Sequence, residues 1–306
     1  MISKIKRLVK KIITERDDVI KASIGRQLCF SQKNIITKNL KDIEFKVFSQ
    51  WGEDGIIEYL INNIPIKNNF FIEFGVEDYN ESNTRFLMVN RNWSGCVIDG
   101  SIENIQYIKK SNYFWKFDLH PIHKFITKDN INNLIAKELS RLNVSDVGLL
   151  SVDIDGIDYW VLREIECISP EIIICEYNAI FNNKIPLTIP YDENFIRNDY
   201  HFSNLYWGAN LKAYDVLLSN KGYVYVGSNS QNSNAFFVKK KLAEKYLSKL
   251  IVSSDTESSS FRESRDSKGN LNFIRGEERL SVIKEMNLLD LNTNNTKKIK
   301  DIFSVQ

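Results

Sequence analysis

The sequence lacks the features that mark several broad classes of protein. Its 41 basic and 39 acidic residues leave a formal net charge of only +2, so no global positive field points to a nucleic-acid partner. It has no apolar run of membrane-spanning length and no evident signal peptide. We therefore expect a soluble, cytoplasmic protein, and 306 residues suit one large domain with additions.

Cysteine and histidine are also scarce. The 4 cysteines (Cys29, Cys96, Cys167 and Cys175) lack the spacing of a metal site, and three lie in apolar stretches, so we expect reduced core thiols. Of the 3 histidines, only His201 lies in a segment placed to cover a substrate. It is a candidate general base, although a lone loop histidine more often has no catalytic role.

The glycine-rich turn of a dinucleotide-binding protein is missing as well. Phe70 to Phe74 and Gly95 to Ile98 predict buried strands that enclose a turn and a helix, the pattern of a nucleotide-binding half of a doubly wound sheet. A pyrophosphate needs Gly-x-Gly-x-x-Gly at the turn, where this chain has only Gly75. Four carboxylates crowd the turn and would repel a phosphate but tolerate a cationic centre, as in S-adenosylmethionine: Glu73, Glu77, Asp78 and Glu81. An ordinary surface turn is the alternative.

Acidic residues close five predicted strands. The strands alternate with helices, which predicts a mostly parallel α/β sheet, and their closing acids are Glu73, Asp99, Asp118, Asp153 and Glu176. In open α/β sheets the ligand crevice lies outside the carboxyl ends of the strands. Tyr223 to Val226 and Ala235 to Val238 predict a final antiparallel hairpin.

The sequence predicts three parts along the chain. Residues 1–45 form a helical extension, residues 46–245 the main domain, and residues 246–306 a polar, partly helical extension. Met1 to Ile24 predicts a basic amphipathic helix, with either a solvated lysine face, which we favour, or contact with a membrane surface. Asn182 to Asn204 predicts a long loop that covers a substrate. Leu205 to Leu218 and Glu277 to Leu289 predict helices, and 253–260 a mobile polar stretch.

Several blocks resemble one known family. Ser49-Gln50-Trp51-Gly52-Glu53-Asp54-Gly55 is similar to the Ser-Gln-x-Gly-Glu-Asp block of FkbM-type methyltransferases, and further similar blocks follow in the expected order up to about Leu242. The resemblance implies a Rossmann-like class I methyltransferase fold with a seven-stranded sheet that ends in a reversed hairpin. It also implies S-adenosylmethionine as cofactor and a hydroxyl of a sugar or glycan precursor as acceptor.

The resemblance also implies roles for individual residues. Glu73 and Gly75 would belong to the first cofactor motif, Asp99 would bind the ribose, and Asp118 would lie beside the adenine. Further cofactor contacts are expected at Ser82, Asn83, Gly100, Ser101 and Asp153. The first motif departs from the pattern of many methyltransferases because it lacks their second glycine.

The acceptor hydroxyl must lose its proton, either to a general base or by binding a divalent cation. Asp153, Glu176 and Asn178 are candidate ligands for Mg²⁺ or Mn²⁺, as in metal-dependent O-methyltransferases; in the alternative without metal, they would contact the cofactor or substrate. Asp155, Asp158 and His201 are the candidate bases. Tyr191, Trp207 and Asn210 are candidate acceptor contacts, with packing as the alternative.

Two other functions stay open. Asp153-Ile154-Asp155 also matches the Asp-x-Asp motif of metal-dependent glycosyltransferases, and a non-catalytic partner in glycan assembly is a further reading.

Overall fold

The computed structural model describes residues 2–250, 252 and 263–304, with the side chains of the first helix described from Arg16 onward. The helices are α1 (Ile2–Gln32), α2 (Glu53–Asn63), α3 (Arg85–Arg91), α4 (Ile102–Lys110), α5 (Ile131–Leu142), α6 (Asp158–Glu164), α7 (Arg197–Tyr200), α8 (Leu211–Asn220), α9 (Lys240–Tyr246), α10 (Glu278–Val282) and α11 (Ile299–Phe303). The strands are β1 (Phe70–Phe74), β2 (Ser94–Asp99), β3 (Leu119–His123), β4 (Leu149–Val152), β5 (Ile172–Glu176), β6 (Leu187–Thr188), β7 (Tyr223–Ser228), β8 (Asn234–Lys239), β9 (Asn287–Asp290) and β10 (Asn295–Lys298).

Seven strands form the main sheet in the order β3-β2-β1-β4-β5-β8-β7. The first five strands run parallel, and β8 runs antiparallel to both β5 and β7. The predicted fold class, a mostly parallel α/β sheet that ends in an antiparallel hairpin, is therefore confirmed. The strand order changes direction between β1 and β4, and such a switch point is where open α/β sheets bind ligands.

The core occupies both faces of this sheet because the parallel strands are covered on both sides. Alternate residues of β1 separate cleanly: Ile72 packs on the face covered by α5, α6 and α8, and Phe71 packs on the face covered by α2, α3 and α4. This double cover explains why the central strands are nearly unbroken apolar runs.

The sequence predicts the third strand at Tyr113 to Phe117, ended by Asp118, and this prediction is wrong. Tyr113 to Phe117 forms turns, and the strand is Leu119–His123. Asp118 therefore precedes its strand instead of closing it, so only four of the five predicted acids lie at the carboxyl edge. His120 and His123 lie in this strand.

Two predicted helices are also shorter than expected. Residues 205–210 are irregular apart from an isolated bridge at Ala209, and α8 begins only at Leu211. In place of a helix from Glu277 to Leu289, the chain forms the short α10 and then β9. The predicted polar stretch 253–260 lies outside the described residues.

A second, three-stranded sheet joins the last part of the described chain to the segment before α8. Its order is β10-β9-β6, with Leu187 paired to Asp290 and Thr188 to Leu289. The Tyr206 hydroxyl donates a hydrogen bond to the Asn287 carbonyl at 2.6 Å. The boundaries drawn at 45 and 245 stay predictions.

Among the described residues, no helix combines the length and the apolar character needed to cross a bilayer.

Candidate functional site

A crevice opens at the carboxyl edge of the sheet, at the switch point between β1 and β4. Its lining combines turn residues of β1, β2 and β4 with residues from beyond β3 and from the covering segment: Gly75, Glu77, Ile98, Asp99, Gly100, Lys124, Phe125, Ile126, Asp153, Ile154, Asp155, Ile157 and Phe195. The cavity volume is about 190 Å³. This is below the roughly 300–1,000 Å³ of typical small-molecule pockets, so a larger ligand would extend over the crevice mouth.

Gly75 brings the β1 turn against the end of β4. Its φ of +69° lies in the left-handed region, and a Cβ built there would lie 1.5 Å from the carbonyl oxygen of Asp153. Only glycine combines this conformation with so close an approach. The single glycine of the motif therefore fixes the floor of the crevice.

Asp99 closes β2 and lines the crevice with a carboxylate that is 8% exposed. The backbone N–H groups of Glu77 and Ser101 each donate to it at 2.8 Å, and Asn104 Nδ2 donates at 3.1 Å. An ionised carboxylate has about four acceptor positions, so about one remains for a ligand hydroxyl. Ser101 itself caps α4, since its hydroxyl accepts from Asn104 N at 3.2 Å, whereas Gly100 lies on the crevice wall.

Glu73 is buried beside the crevice and does not line it. Its carboxylate is 4% exposed and accepts hydrogen bonds from Ser82 Oγ at 2.7 Å, from Asn83 N at 2.8 Å and from the Thr84 hydroxyl at 2.5 Å. The Asn83 side chain donates in turn to Ser151 Oγ on β4 at 3.1 Å. Burial raises the pKa of Glu73, while the hydrogen bonds from Thr84 and Ser82 oppose that rise. Glu73, Ser82 and Asn83 thus hold the loop that enters α3, and none of them is among the residues that line the crevice.

Three carboxylates meet beyond β4 and β5. Asp153, Asp155 and Glu176 can each present one oxygen so that all three atoms lie within 4.8 Å of one another. Burial, followed by the charges of Asp155 and Asp158, raises the pKa of Asp153 well above its usual range. Burial and the charge of Asp153 do the same for Glu176. Such a pair shares a proton readily, and its oxygens also suit a hard cation.

Arg197 faces this acidic cluster from the covering segment. Its guanidinium donates to Asp155 Oδ1, and its Nε donates to the Asn204 carbonyl at 2.9 Å. The guanidinium also lies 4.8 Å from the centre of the Trp207 ring. The sequence prediction missed Arg197, although it is the only lysine or arginine between Lys184 and Lys212, in a stretch with three acidic residues. Lys124, Phe125 and Phe195 were missed too, because their contact with the crevice depends on strand ends placed only by the fold.

Asp158 does not suit the role of general base. Its side chain is fully buried and accepts from Ile154 N at 2.6 Å and from Gly156 N at 2.8 Å. Burial raises its pKa to about 6. Both oxygens are committed to the loop after β4, so Asp158 shapes the loop that carries Asp153 and Asp155.

Two predicted asparagines serve the backbone. Asn178 Nδ2 donates to the carbonyls of Leu205 at 3.1 Å and Trp207 at 3.0 Å, and its Oδ1 accepts from Ile180 N at 3.1 Å. Asn210 caps α8 through Ala213 N at 3.0 Å, accepts from Leu187 N at 3.0 Å and donates to Ile185 O at 2.8 Å. The Asn210 amide is saturated by neighbouring peptide groups, which contradicts its predicted acceptor role. Both atoms of the Asn178 amide also bond peptide groups, but its oxygen keeps one acceptor position, and its metal role stays a prediction.

The other predicted contacts are not among the residues that line the crevice. Tyr191 packs edge-on against Trp160 with ring centres 5.9 Å apart, and Trp207 is 6% exposed beneath Arg197. His201 Nδ1 lies 2.7 Å from Ser203 Oγ, and burial lowers the pKa of its ring. His201 is not among the residues that line the crevice in the described part of the chain.

Asp118 lies at the opposite edge of the sheet from Asp99. It precedes β3, where its carbonyl accepts from Gly95 N at 3.1 Å near the start of β2. Its predicted place beside an adenine is therefore wrong, and residues 124–126, which follow β3, occupy that side of the crevice.

No protein-family model matches the chain, and no curated protein is significantly similar to it in sequence. Among solved structures, it is similar to the CurJ carbon methyltransferase (10% identity, TM-score 0.36, covering 61% of this chain and 52% of that one). It is also similar to a SAM-dependent methyltransferase from Aquifex aeolicus (12% identity, TM-score 0.35, 60% of this chain and 88% of that one). A third is the O-methyltransferase from Bacillus cereus, solved with SAH (10% identity, TM-score 0.32, 55% and 72%). The chain thus spans about half of the CurJ protein, and one fold of this kind hosts many activities.

Proposed function

We propose that this protein is an S-adenosylmethionine-dependent O-methyltransferase that acts on a hydroxyl of a sugar or glycan precursor. The observation that carries the proposal is the crevice at the switch point, with Gly75 as its floor and Asp99 on its wall, ringed by carboxylates. Such a site disfavours a pyrophosphate and accommodates a nucleoside with a cationic centre.

The residues present suit that cofactor. Asp99 retains about one acceptor position for a ribose hydroxyl. Ile98, Phe125 and Ile126 offer apolar surface on the same wall. The acidic groups Glu77 and Asp155 also line the crevice, and their charges favour a ligand with a positive centre. When bound, S-adenosylmethionine supplies a methyl group on a sulfonium, which the chain's residues need only bring into line with the acceptor.

We propose that the cluster of Asp153, Asp155 and Glu176 takes up the proton of the acceptor hydroxyl. It can do so by a carboxylate directly, or by holding a divalent cation that lowers the pKa of the hydroxyl. Asp155 replaces Asn178 in this revised ligand set, because a carboxylate oxygen of Asp155 meets those of Asp153 and Glu176, whereas both atoms of the Asn178 amide bond peptide groups. Arg197 would balance the charge of the cluster and keep Asp155 oriented.

Ligand-induced stabilisation tests the cofactor class. We expect S-adenosylmethionine to raise the melting temperature by several degrees, since a ligand at 100 times its Kd stabilises by about 2.7 kcal/mol. NADH and sugar nucleotides should have no such effect. If only sugar nucleotides with Mn²⁺ raise the melting temperature, the Asp-x-Asp glycosyltransferase is favoured. If none of these ligands raises it, a non-catalytic partner in glycan assembly is favoured.

Product analysis tests the acceptor class. Transfer of a labelled methyl group to glycan precursors, with mass spectrometry of the product, should locate the methyl on a hydroxyl oxygen. Treatment with EDTA separates the two roles of the cluster: activity that returns only with Mg²⁺ or Mn²⁺ requires the cation, and undiminished activity leaves the carboxylates as the base.

A further inference from the structure

One face of α1 is firmly attached to the rest of the protein. Arg85 pairs with Asp18 at 2.6 Å. Gly25 lies so close to the body that a Cβ there would come within 2.6 Å of Phe86 and Val47. Gln32 donates a hydrogen bond to the Ile43 carbonyl. Because residues 18, 25 and 32 are spaced by seven, they lie on one face, and that face fixes the rotation of the helix about its axis.

The opposite side of α1 is exposed and carries large apolar residues together with Arg16, Ser23 and Gln27. Val19 is 65% exposed, Ile20 46%, Ile24 56% and Phe30 72%. Ile36, just beyond the helix, is 78% exposed. A single exposed apolar residue is ordinary, but four large aliphatic and aromatic side chains on the exposed side of one helix indicate an interaction surface.

We call the exposed apolar residues Val19, Ile20, Ile24 and Phe30 the apolar stripe, and the sequence extends it toward the beginning of the helix. Ile5 and Ile12 precede Val19 at intervals of seven residues, and Ile13 precedes Ile20 by the same interval. Since the backbone is helical from Ile2, these positions share the face of Val19 and Ile20. The predicted lysine face of this part of the helix lies outside the described side chains.

Charge identifies the partner that suits the stripe. The first 14 residues carry five basic groups and no acid: Lys4, Lys6, Arg7, Lys10 and Lys11. A second copy of the helix laid alongside in parallel would bring these like charges together, which opposes pairing. A surface with anionic headgroups above an apolar interior complements both the charges and the stripe.

We propose that α1 binds the surface of an anionic phospholipid bilayer, with the stripe that includes Val19, Ile20, Ile24 and Phe30 in the acyl region and the basic residues among the headgroups. The attached face then orients the whole protein, since α1 cannot rotate independently of the sheet. This inference concerns where the protein works and does not depend on methyl transfer.

Vesicle sedimentation of the full chain tests it. Wild-type protein should sediment with vesicles of phosphatidylcholine and phosphatidylglycerol, less so at high salt, and not with phosphatidylcholine alone. The double variant Ile20→Asp/Phe30→Asp should bind about 100-fold more weakly, because it removes two large apolar side chains from the contact.

A matched control separates the helix face from a general effect of added acid. Leu271 is 49% and Trp115 75% exposed, close to the values of Ile20 and Phe30, and both lie outside α1. The variant Trp115→Asp/Leu271→Asp should therefore bind as wild type does. Circular dichroism and the melting temperature check that each variant folds. If the Ile20→Asp/Phe30→Asp variant does not fold, the single variant Ile20→Asp is compared with Leu271→Asp.

Four outcomes would overturn the proposal: no sedimentation of wild type, equal binding to neutral and anionic vesicles, unchanged binding of the helix variant, or equal loss in the control. A dimer seen by light scattering that the helix variant dissociates, without vesicle binding by wild type, would assign the stripe to a second copy instead.

Discussion

Replacing Gly75 by alanine should disrupt the crevice more than it disrupts the fold. A Cβ at this position lies 1.5 Å from the Asp153 carbonyl oxygen, whereas real Cβ contacts are essentially never shorter than 3.0 Å, so one of the two chain segments must move by the 1.5 Å difference. The left-handed φ adds roughly 1–2 kcal/mol for a residue with a side chain. Forced repacking in a dense region costs about 1–3 kcal/mol more. We therefore expect a total loss of about 2–5 kcal/mol in the free energy of unfolding.

Gly222 provides the matched control. Its φ is +87°, and a Cβ there meets no atom within 4 Å. Gly222→Ala should therefore lose only the conformational part, roughly 1–2 kcal/mol. Because a 1 Å misplacement near a reacting centre can cost about 100-fold in rate, Gly75→Ala should also lose nearly all methyl transfer. Gly222→Ala should keep it.

Urea unfolding and the S-adenosylmethionine-dependent rise in melting temperature measure the two effects. If Gly75→Ala and Gly222→Ala unfold with the same free energy and respond equally to the ligand, then the contact between Gly75 and Asp153 does not shape the site, and the reasoning fails.

Three further variants test separate parts of the structure. Burial raises the pKa of Asp54 from 3.8 to about 6 in the folded protein. Ionisation of this carboxyl therefore destabilises the fold: the wild type has its full stability below about pH 4 and loses this contribution as the pH rises through about 6. Asp54→Asn should gain up to about 3 kcal/mol relative to wild type between about pH 4 and pH 7 in urea unfolding, and parallel curves would contradict this. Asn210→Ala should cost about 3 kcal/mol or more, against about 1 kcal/mol for Asn39→Ala, which removes a cap with one bond to Lys41 N; equal losses would refute the saturated-amide argument. Asp99→Asn should weaken S-adenosylmethionine binding about tenfold or more in calorimetry while the protein stays folded, and an unchanged Kd would remove Asp99 from the site.

The sequence predicted the central strands well because they are buried on both faces. Their apolar runs leave little ambiguity, and the acids that end β1, β2, β4 and β5 mark the carboxyl edge. The third strand failed for a related reason. It is an edge strand, Leu-His-Pro-Ile-His, and an edge tolerates proline and partial exposure, so its sequence does not look like that of its neighbours.

The polar residues of the site were harder to predict because one side chain type serves several purposes. Asn178, Asn210 and Asp158 have the composition of ligand-binding groups, but peptide groups brought close by the fold occupy them. Local sequence cannot distinguish a carboxylate that caps a loop from one that meets a ligand. Strand ends alone brought Asp153 together with Glu176, whereas the place of Asp155 beside them depended on the loop after β4 and that of Arg197 on the path of the covering segment.

The pairing of β6 with β9 has a consequence for how the protein is made. The two residues of β6 are too few to hold a position by themselves, and their partner strand is encoded far downstream, after α10. On the ribosome, the parallel sheet can therefore assemble while β6 is held only by its contacts with Trp160 and with residues 208–210. The pairing with β9 is added only when Asn287–Asp290 has been synthesised, so a nascent chain without that strand should hold the segment above the crevice less firmly than the full chain does.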